Sequence, residues 1–202
     1  SDWYKLDNSK VNELWGMHGA TLEKLLPATS YFAQHPEWYA EVNGKRINNG
    51  GLCLSNSDVE KQVRDLLALR IQANPGAIYW SVSPDLAHGM CTCAACSRIN
   101  EEEGIPAGTF IRFLNQLSPD FTGRQLVAEM SGMYRHAPKT KPAGNVLIVL
   151  PADDLDHAHP IATADVNAGF RNDLQAWLQL TNQIMVRDYL VQSSNYISPF
   201  PN

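Results

Sequence analysis

The sequence predicts an α/β chain of the TIM-type (β/α)-barrel class, with fewer strands than a complete barrel. Short apolar runs alternate with segments of helical periodicity, which is typical of repeated β-α units. The segments between the runs are long enough to cross over, so successive strands can be parallel. The chain has 202 residues. A complete eight-unit barrel usually needs about 250 residues, so we expect some strands to be missing.

The first half of the chain is predicted to begin with two strands and a helix. Residues 14–19 predict a strand that ends in a glycine-containing loop, and residues 51–55 predict a second strand. Ser57 and Glu60 have the spacing of a capping box, in which Ser57 is the N-cap. Apolar residues at helical spacing follow them, and the sequence Asn-Pro-Gly at 74–76 should end the helix.

The rest of the chain is predicted to alternate strands and helices around one long loop. Residues 77–83 are β-branched and aromatic and predict the third strand. Residues 84–106 predict a long polar loop, a type that often carries function. Further strands are predicted at 125–130, 146–150 and 184–189. The two helices between them are marked by Phe110, Phe113, Leu114, Leu117, Phe170, Leu174, Trp177 and Leu178.

The alternative architecture is an open doubly wound sheet. That fold usually carries a glycine-rich phosphate loop near its start, and the sequence has neither GxGxxG nor a P-loop. The barrel is therefore preferred, with residues 25–49 as an excursion over it. We expect Trp38 and Tyr39 to anchor this excursion by packing.

Composition and charge limit the classes of partner. The formal net charge of −5 argues against a nucleic-acid partner, because phosphate binding needs a basic surface. No run approaches the roughly 18–20 apolar residues of a membrane span. No signal peptide is visible, but a processed secreted protein would look the same, so this does not fix a compartment.

The four cysteines are the sharpest chemical feature of the sequence. Cys91, Cys93 and Cys96 lie within six residues, and Cys53 lies at the end of the preceding predicted strand. Because neighbouring strands are about 4.8 Å apart, Cys53 is expected to reach the loop after the next strand. Four thiolates predict a tetrahedral structural zinc site that would hold this loop. The alternatives are a disulfide that includes Cys53 and free buried thiols.

Several short segments taken together resemble one known family. The segments are residues 26–32, 35–40, 42–46, 52–56, 83–85, 91–96, 159–161, 188–189, 195–196 and 199–202. Over most of its length the chain resembles the domain of unknown function 4838 family, barrel domains in large proteins of gut Bacteroides-like bacteria. That family is similar to α-glucuronidase and hexosaminidase barrels. The sequence departs from the family pattern after Ser83 and at 153–157, where the family usually has a glycine-rich stretch and extra cysteines.

The resemblance implies a domain organisation, a partner and a location. Residues 1–202 are expected to form a single barrel domain within a larger multidomain protein. The expected partners are carbohydrate and the other domains of the same chain. The expected location is secreted, periplasmic or on the cell surface. Because a fold does not fix a function, the sugar chemistry must come from particular residues.

Acidic residues at predicted strand ends are the candidates for catalysis. Hydrolysis of a glycosidic bond needs two carboxyl groups, one as acid and one as base or nucleophile. In a barrel these groups lie at the C-terminal ends of the strands. Asp85 and Asp188 are at strand ends and fall in segments of the family, and Glu129 lies in an apolar strand where an unpaired charge would be costly. The alternative for each aspartate is a helix cap or a turn.

Aromatic and polar side chains at strand ends are candidates for binding a sugar. Sugar faces stack on aromatic rings, and sugar hydroxyls form hydrogen bonds with polar groups. The candidates are Trp15, His18, Tyr134, His159, Arg187, Asn195 and Tyr196. For each one alone, an ordinary core or loop position is the alternative.

Together these features predict a glycoside hydrolase that acts on a complex polysaccharide or glycan. Its acid and its base or nucleophile come from Asp85, Glu129 and Asp188, and the reaction requires no metal ion. One alternative is a carbohydrate-binding barrel without catalysis, and another is a structural domain with a cysteine-rich, metal-held loop. A serine nucleophile is not supported, since the sequence has no Gly-x-Ser-x-Gly.

Overall fold

The structure is a computed structural model that describes residues 13–85 and 89–188. Its centre is a five-stranded parallel sheet. In spatial order the strands are β1 (Trp15–Met17), β4 (Tyr79–Ser81), β5 (Gln125–Glu129), β6 (Val146–Pro151) and β7 (Ile184–Arg187). A separate antiparallel hairpin consists of β2 (Glu41–Val42) and β3 (Lys45–Arg46).

The strand order follows the chain order without reversal. A doubly wound sheet reverses its order at a switch point, so that alternative does not describe this sheet. β1 and β7 form the two edges of the sheet among the described residues. The described fold is therefore a mixed α/β structure with an open parallel sheet, and a closed barrel is not confirmed.

Helices fill three of the four crossovers. The helices are α1 (Leu22–Leu25), α2 (Ala28–Tyr31), α3 (Ser57–Ala73), α4 (Ala94–Glu103), α5 (Ala107–Leu117) and α6 (Ala168–Leu178). The first three and the β2–β3 hairpin lie between β1 and β4, α4 and α5 lie between β4 and β5, and α6 lies between β6 and β7. The crossover from β5 to β6 has only a 3-10 turn at Gly132–Tyr134. No helix among the described residues is both long and apolar enough to cross a membrane.

The two faces of the sheet are buried in different clusters. Leu126 and Ala128 of β5 and Ile148 of β6 belong to the main core, which also contains the buried apolar residues of α3 and α5. The alternate residues face the other way, and Val127 and Leu147 form a smaller cluster. All six residues of β6 are buried, which explains its continuous apolar sequence.

Most predicted elements are confirmed, including the strand at the start, the four later strands, α3 and its stop, α5 and α6. The excursion is also held as predicted, since Trp38 and Tyr39 are buried. The Tyr39 hydroxyl donates a hydrogen bond to the Leu26 carbonyl at 3.1 Å.

Three expectations were wrong in detail. Residues 51–55 are not a strand of the sheet, because their backbone bonds to the excursion: the Cys53 N–H donates to the Trp38 carbonyl at 2.8 Å. Residues 84–106 are not all loop, since they contain α4. The N-cap of α3 is Asn56 rather than Ser57, because the Asn56 side chain accepts the N–H groups of the first turn.

Candidate functional site

An open pocket lies at the carboxyl edge of the sheet, where the ends of β4 and β5 meet. Its volume is about 210 Å³. The residues that line it are Ala20, Ser83, Pro84, Asp85, Glu129 and Ser131. Two of the three predicted catalytic acids, Asp85 and Glu129, are therefore brought into one pocket. This is the edge at which parallel α/β folds bind their ligands.

Hydrogen bonds fix the backbone beneath the pocket. The Ser83 hydroxyl donates to the Val127 carbonyl at 3.3 Å and accepts the Glu129 N–H at 2.9 Å. The Asp85 N–H donates to Glu23 Oε2 at 2.9 Å, which ties the loop after β4 to α1. The two acids therefore stand on backbone that neighbouring elements hold in place.

Glu129 forms a bidentate ion pair with Arg187. Arg187 Nη1 lies 2.5 Å from Glu129 Oε2, and Nη2 lies 2.9 Å from Oε1. The two residues end β5 and β7, so the pair passes over β6, which lies between them. A two-point contact of this kind orients the carboxylate. Arg187, a predicted sugar ligand, thus contacts a candidate catalytic group.

The third predicted acid, Asp188, is paired with His157. His157 Nε2 lies 2.9 and 3.0 Å from the two carboxylate oxygens of Asp188. Nearby, His159 Nδ1 lies 2.9 Å from Asp156, which also accepts the Ala158 N–H. These contacts, first the backbone N–H and then the imidazole, lower the pKa of Asp156. His159 therefore stabilises its own loop.

The predicted aromatic ligands fall in two different environments. Trp15 is stacked between His18, at 5.2 Å between ring centroids, and Tyr79, at 5.1 Å. Tyr134 is buried in the main core, edge-on to Phe110 at 5.5 Å, and burial raises its pKa. Asn195 and Tyr196 lie outside the described residues.

The four cysteines form a second candidate site. All four are buried and none is in a disulfide. The sulfur of Cys53 lies 3.5 Å from that of Cys91, 3.7 Å from Cys93 and 3.9 Å from Cys96. All four sulfurs lie within 4.8 Å of one another, so the cluster could hold a metal ion.

The predicted convergence of the cysteines is correct, but the expected reason for it is wrong. Cys53 does not follow a strand of the sheet. It lies in the turn before α3 and is placed by the excursion, whereas Cys93 is the N-cap residue of α4 and Cys96 lies in the first turn of that helix.

Polar groups that the sequence reasoning missed surround the sulfurs. Ser55 Oγ lies 3.1 Å from Cys96 Sγ. The Glu41 N–H and Arg46 Nη1 approach Cys91 Sγ at 3.3 and 3.6 Å. Hydrogen bonds among the thiols raise the pKa of Cys91 to about 11 and lower that of Cys53.

The signal for the missed hairpin was present in the sequence. Asn43 and Gly44, both with positive φ, form its turn, and an Asn-Gly pair is a strong sign of a two-residue hairpin. That hairpin brings Glu41 and Arg46 to the cysteines.

Comparisons with known proteins agree with this architecture. A model of the family described as "Domain of unknown function (DUF4838)" matches residues 2–202. No curated protein matches the chain. Among solved structures, the chain is similar to a beta-N-acetylhexosaminidase from Bacteroides fragilis NCTC 9343, with a TM-score of 0.51 and 12% sequence identity. The alignment covers 84% of this chain and 34% of that enzyme, so the chain spans about a third of its length. At this identity the likeness shows a shared fold alone.

Proposed function

This chain belongs to the DUF4838 family, and on that premise we propose that it acts as a glycoside hydrolase on a complex polysaccharide or glycan. The observation that supports this proposal best is the pairing of Asp85 and Glu129 in one pocket at the carboxyl edge of the sheet. Two carboxyl groups at such an edge are what glycosidic hydrolysis requires. The proposed location is secreted, periplasmic or on the cell surface, where such substrates are met.

The two acids are proposed to have different roles. Asp85 donates a proton to the glycosidic oxygen as the bond between that oxygen and the anomeric carbon breaks. Glu129 acts as the carboxylate that attacks the anomeric carbon or removes a proton from water. Arg187 is a positioning residue, since it holds both oxygens of Glu129.

The remaining predicted residues are assigned to the margin of the site. Asp188 directly follows Arg187 in the chain and is bonded to His157, so it is a third candidate for acid-base chemistry. The ring of His18 is exposed at one end of the aromatic stack, which suits it to contact a sugar face. The carboxyl groups supply the acid-base chemistry without a metal ion, and the four-cysteine cluster is assigned a structural role.

The test is a screen of the full-length protein against a panel of glycans, with active-site variants. Asp85→Asn and Glu129→Gln are each expected to lower kcat by at least about 100-fold, the usual contribution of a general acid or base. Glu102→Gln, on the exposed side of α4, is the control and should retain full activity. The melting temperature of each variant should stay close to that of the wild type. If both pocket variants hydrolyse the glycan at the wild-type rate, the proposal is wrong.

A carbohydrate-binding domain without catalysis is the second candidate. The ion pairs favour it, because both oxygens of Glu129 contact Arg187 and both oxygens of Asp188 contact His157. Carboxylates held in this way are oriented for structure and are less available to react with a substrate. Calorimetric titration with the same glycans separates the two functions. Binding without product formation supports the second candidate, and product formation supports the first.

A further inference from the structure

Helix α4 lacks the apolar face that normally holds a helix to its domain. Of its ten residues only Cys96 and Glu103 are buried. Its N-terminal end therefore needs another attachment, and the residues there are Cys93 and Cys96. The fourth cysteine, Cys53, lies in the turn before α3, whose neighbouring residues Leu52 and Leu54 are buried in the main core. That turn is therefore a fixed point to which the start of α4 can be joined.

The spacing of the sulfurs fits a tetrahedral metal site. Zinc–thiolate bonds of about 2.3 Å place the sulfurs of a tetrahedral site about 3.8 Å apart. The distances from Cys53 Sγ to the other three sulfurs are 3.5, 3.7 and 3.9 Å. A disulfide would need a distance of about 2.05 Å, and no pair of these sulfurs is joined in that way.

We propose that Cys53, Cys91, Cys93 and Cys96 bind one Zn²⁺ ion, which fastens the turn before α3 and the loop after β4 to the start of α4. Four thiolates in a tetrahedral arrangement select zinc over hard cations such as Mg²⁺ and Ca²⁺. They also leave no open coordination position, so the ion is structural.

The groups around the cluster suit a negatively charged metal centre. One Zn²⁺ ion with four thiolates has a net charge of −2. Arg46 and the Glu41 N–H both point at Cys91 Sγ, and the Ser55 hydroxyl lies against Cys96 Sγ. Cys93 and Cys96 also belong to the N-terminal end of α4, which is the positive end of the helix dipole. Such outer contacts orient metal ligands and offset their charge.

The ion would also restrain the loop that carries a candidate catalytic acid. Cys91 follows Asp85 by six positions in the chain, and the Gly51 N–H donates to the Gly89 carbonyl at 3.3 Å. The zinc proposal itself does not depend on the proposed hydrolase function, because it uses only the four cysteines and their neighbours.

The first test measures metal and thiols in the full-length protein, expressed with zinc and purified without chelator. Mass spectrometry of the metals should find one zinc per chain. Thiol labelling of unfolded protein with a chelator present, and without reductant, followed by peptide mass spectrometry, should find all four of these cysteines as reactive thiols. Protein without metal, protein with iron in place of zinc, or protein with a pair of thiols lost to a disulfide would overturn the proposal.

The second test uses variants and a spectroscopic substitute. Cys53→Ser and Cys96→Ser should lose the zinc and lower the melting temperature, while the control Ser97→Ala, on the same helical turn, should retain both. Since a cysteine variant that fails to fold gives no answer, wild-type protein loaded with Co²⁺ provides an independent measurement. It should show the intense visible and charge-transfer bands of tetrahedral cobalt with thiolate ligands. A weak octahedral spectrum would count against the site.

Discussion

Helices α4 and α5 are neighbours in one crossover, yet they are held to the domain in different ways. They have ten and eleven residues. α5 buries eight of its residues, among them Phe110 and Leu114, which have no exposed surface. α4 buries only Cys96 and Glu103, which lie near its two ends. α5 is therefore stabilised along its length by apolar packing, and α4 is attached at its ends by polar and thiol groups.

The C-terminal attachment of α4 is a buried carboxylate. The side chain of Glu103 is 1% exposed. It accepts hydrogen bonds from Arg112 Nε at 2.7 Å, from the Lys139 N–H at 3.0 Å, and from the Thr140 N–H and hydroxyl at 2.9 and 2.6 Å. It passes over Gly108, where an added Cβ would lie 2.0 Å from Glu103 Cγ. One carboxylate thus joins α4, α5 and the segment before β6.

The largest effect is expected in α5. Phe110→Ala should lower the free energy of unfolding by about 3–5 kcal/mol, because the change leaves a cavity in the main core. The measurement is urea unfolding followed by circular dichroism. Leu69→Ala in α3 is the control, because Leu69 is 60% exposed, and it should change stability by less than about 0.5 kcal/mol. Equal effects of the two changes would contradict the assignment of Phe110 to the core.

A smaller effect is expected at the C-terminal end of α4. Glu103→Ala should lower the free energy of unfolding by about 2–3 kcal/mol, since it leaves buried N–H groups and Arg112 without their acceptor. Glu102→Ala is a matched control, because Glu102 pairs with the same arginine at 2.8 Å but is 50% exposed. An exposed pair is worth about 0–1 kcal/mol. If both variants lose the same stability, the burial of Glu103 is not what attaches the helix.

The Glu103 attachment should also depend on pH. Burial alone would raise the pKa of this carboxyl, but the hydrogen bonds from Thr140 and Arg112 outweigh it and lower the pKa. The unfolded chain then binds the proton more readily, with a pKa of about 4.3. The stabilisation is therefore fully present above that value and is lost as the pH falls through the lower pKa of the folded state. Glu103→Gln should accordingly lose less stability in acid than the wild type does. The measurement compares urea unfolding at about pH 6 and about pH 3, on either side of the unfolded-state pKa.

The difference between the two helices explains which elements the sequence could predict. Apolar packing leaves a pattern in the sequence, so the bounds of α3 and β6 are predicted nearly correctly and α5 is marked by its apolar residues. α4 has no such pattern, because a thiol and a carboxylate are its buried residues, and it was predicted as loop. Residues 51–55 have an apolar pattern too, but their burial is against the excursion rather than within the sheet.

The same reasoning applies to the candidate sites. The close spacing of three cysteines and the metal-ligand chemistry of thiols suggested that all four meet, although the strand expected to carry Cys53 is absent. The strand-end rule placed Asp85 and Glu129 at one edge. The pairing of Glu129 with Arg187 could not be predicted in this way, because the two residues end strands that are not neighbours, and only the side-chain geometry shows that they meet over β6. The approach of Arg46 to Cys91 likewise depends on the β2–β3 hairpin.

The smallest effect is expected at Gly104, the residue that ends α4. It has a φ of 81° and nothing lies within 4 Å of an added Cβ. Gly104→Ala should therefore lower the free energy of unfolding by about 1 kcal/mol through backbone strain alone. Gly104→Asn should lose less, since asparagine tolerates the left-handed conformation better than alanine does.

Gly76→Ala is the matched control for backbone strain, because its Cβ would also meet open space but its φ is not positive. That change should leave stability equal or slightly higher. A loss at Gly104 that is absent at Gly76 would show that α4 ends in the left-handed conformation and that alanine is strained there. Equal results at both glycines would mean that the end of α4 relaxes without cost, and the left-handed end would then contribute nothing to holding the helix.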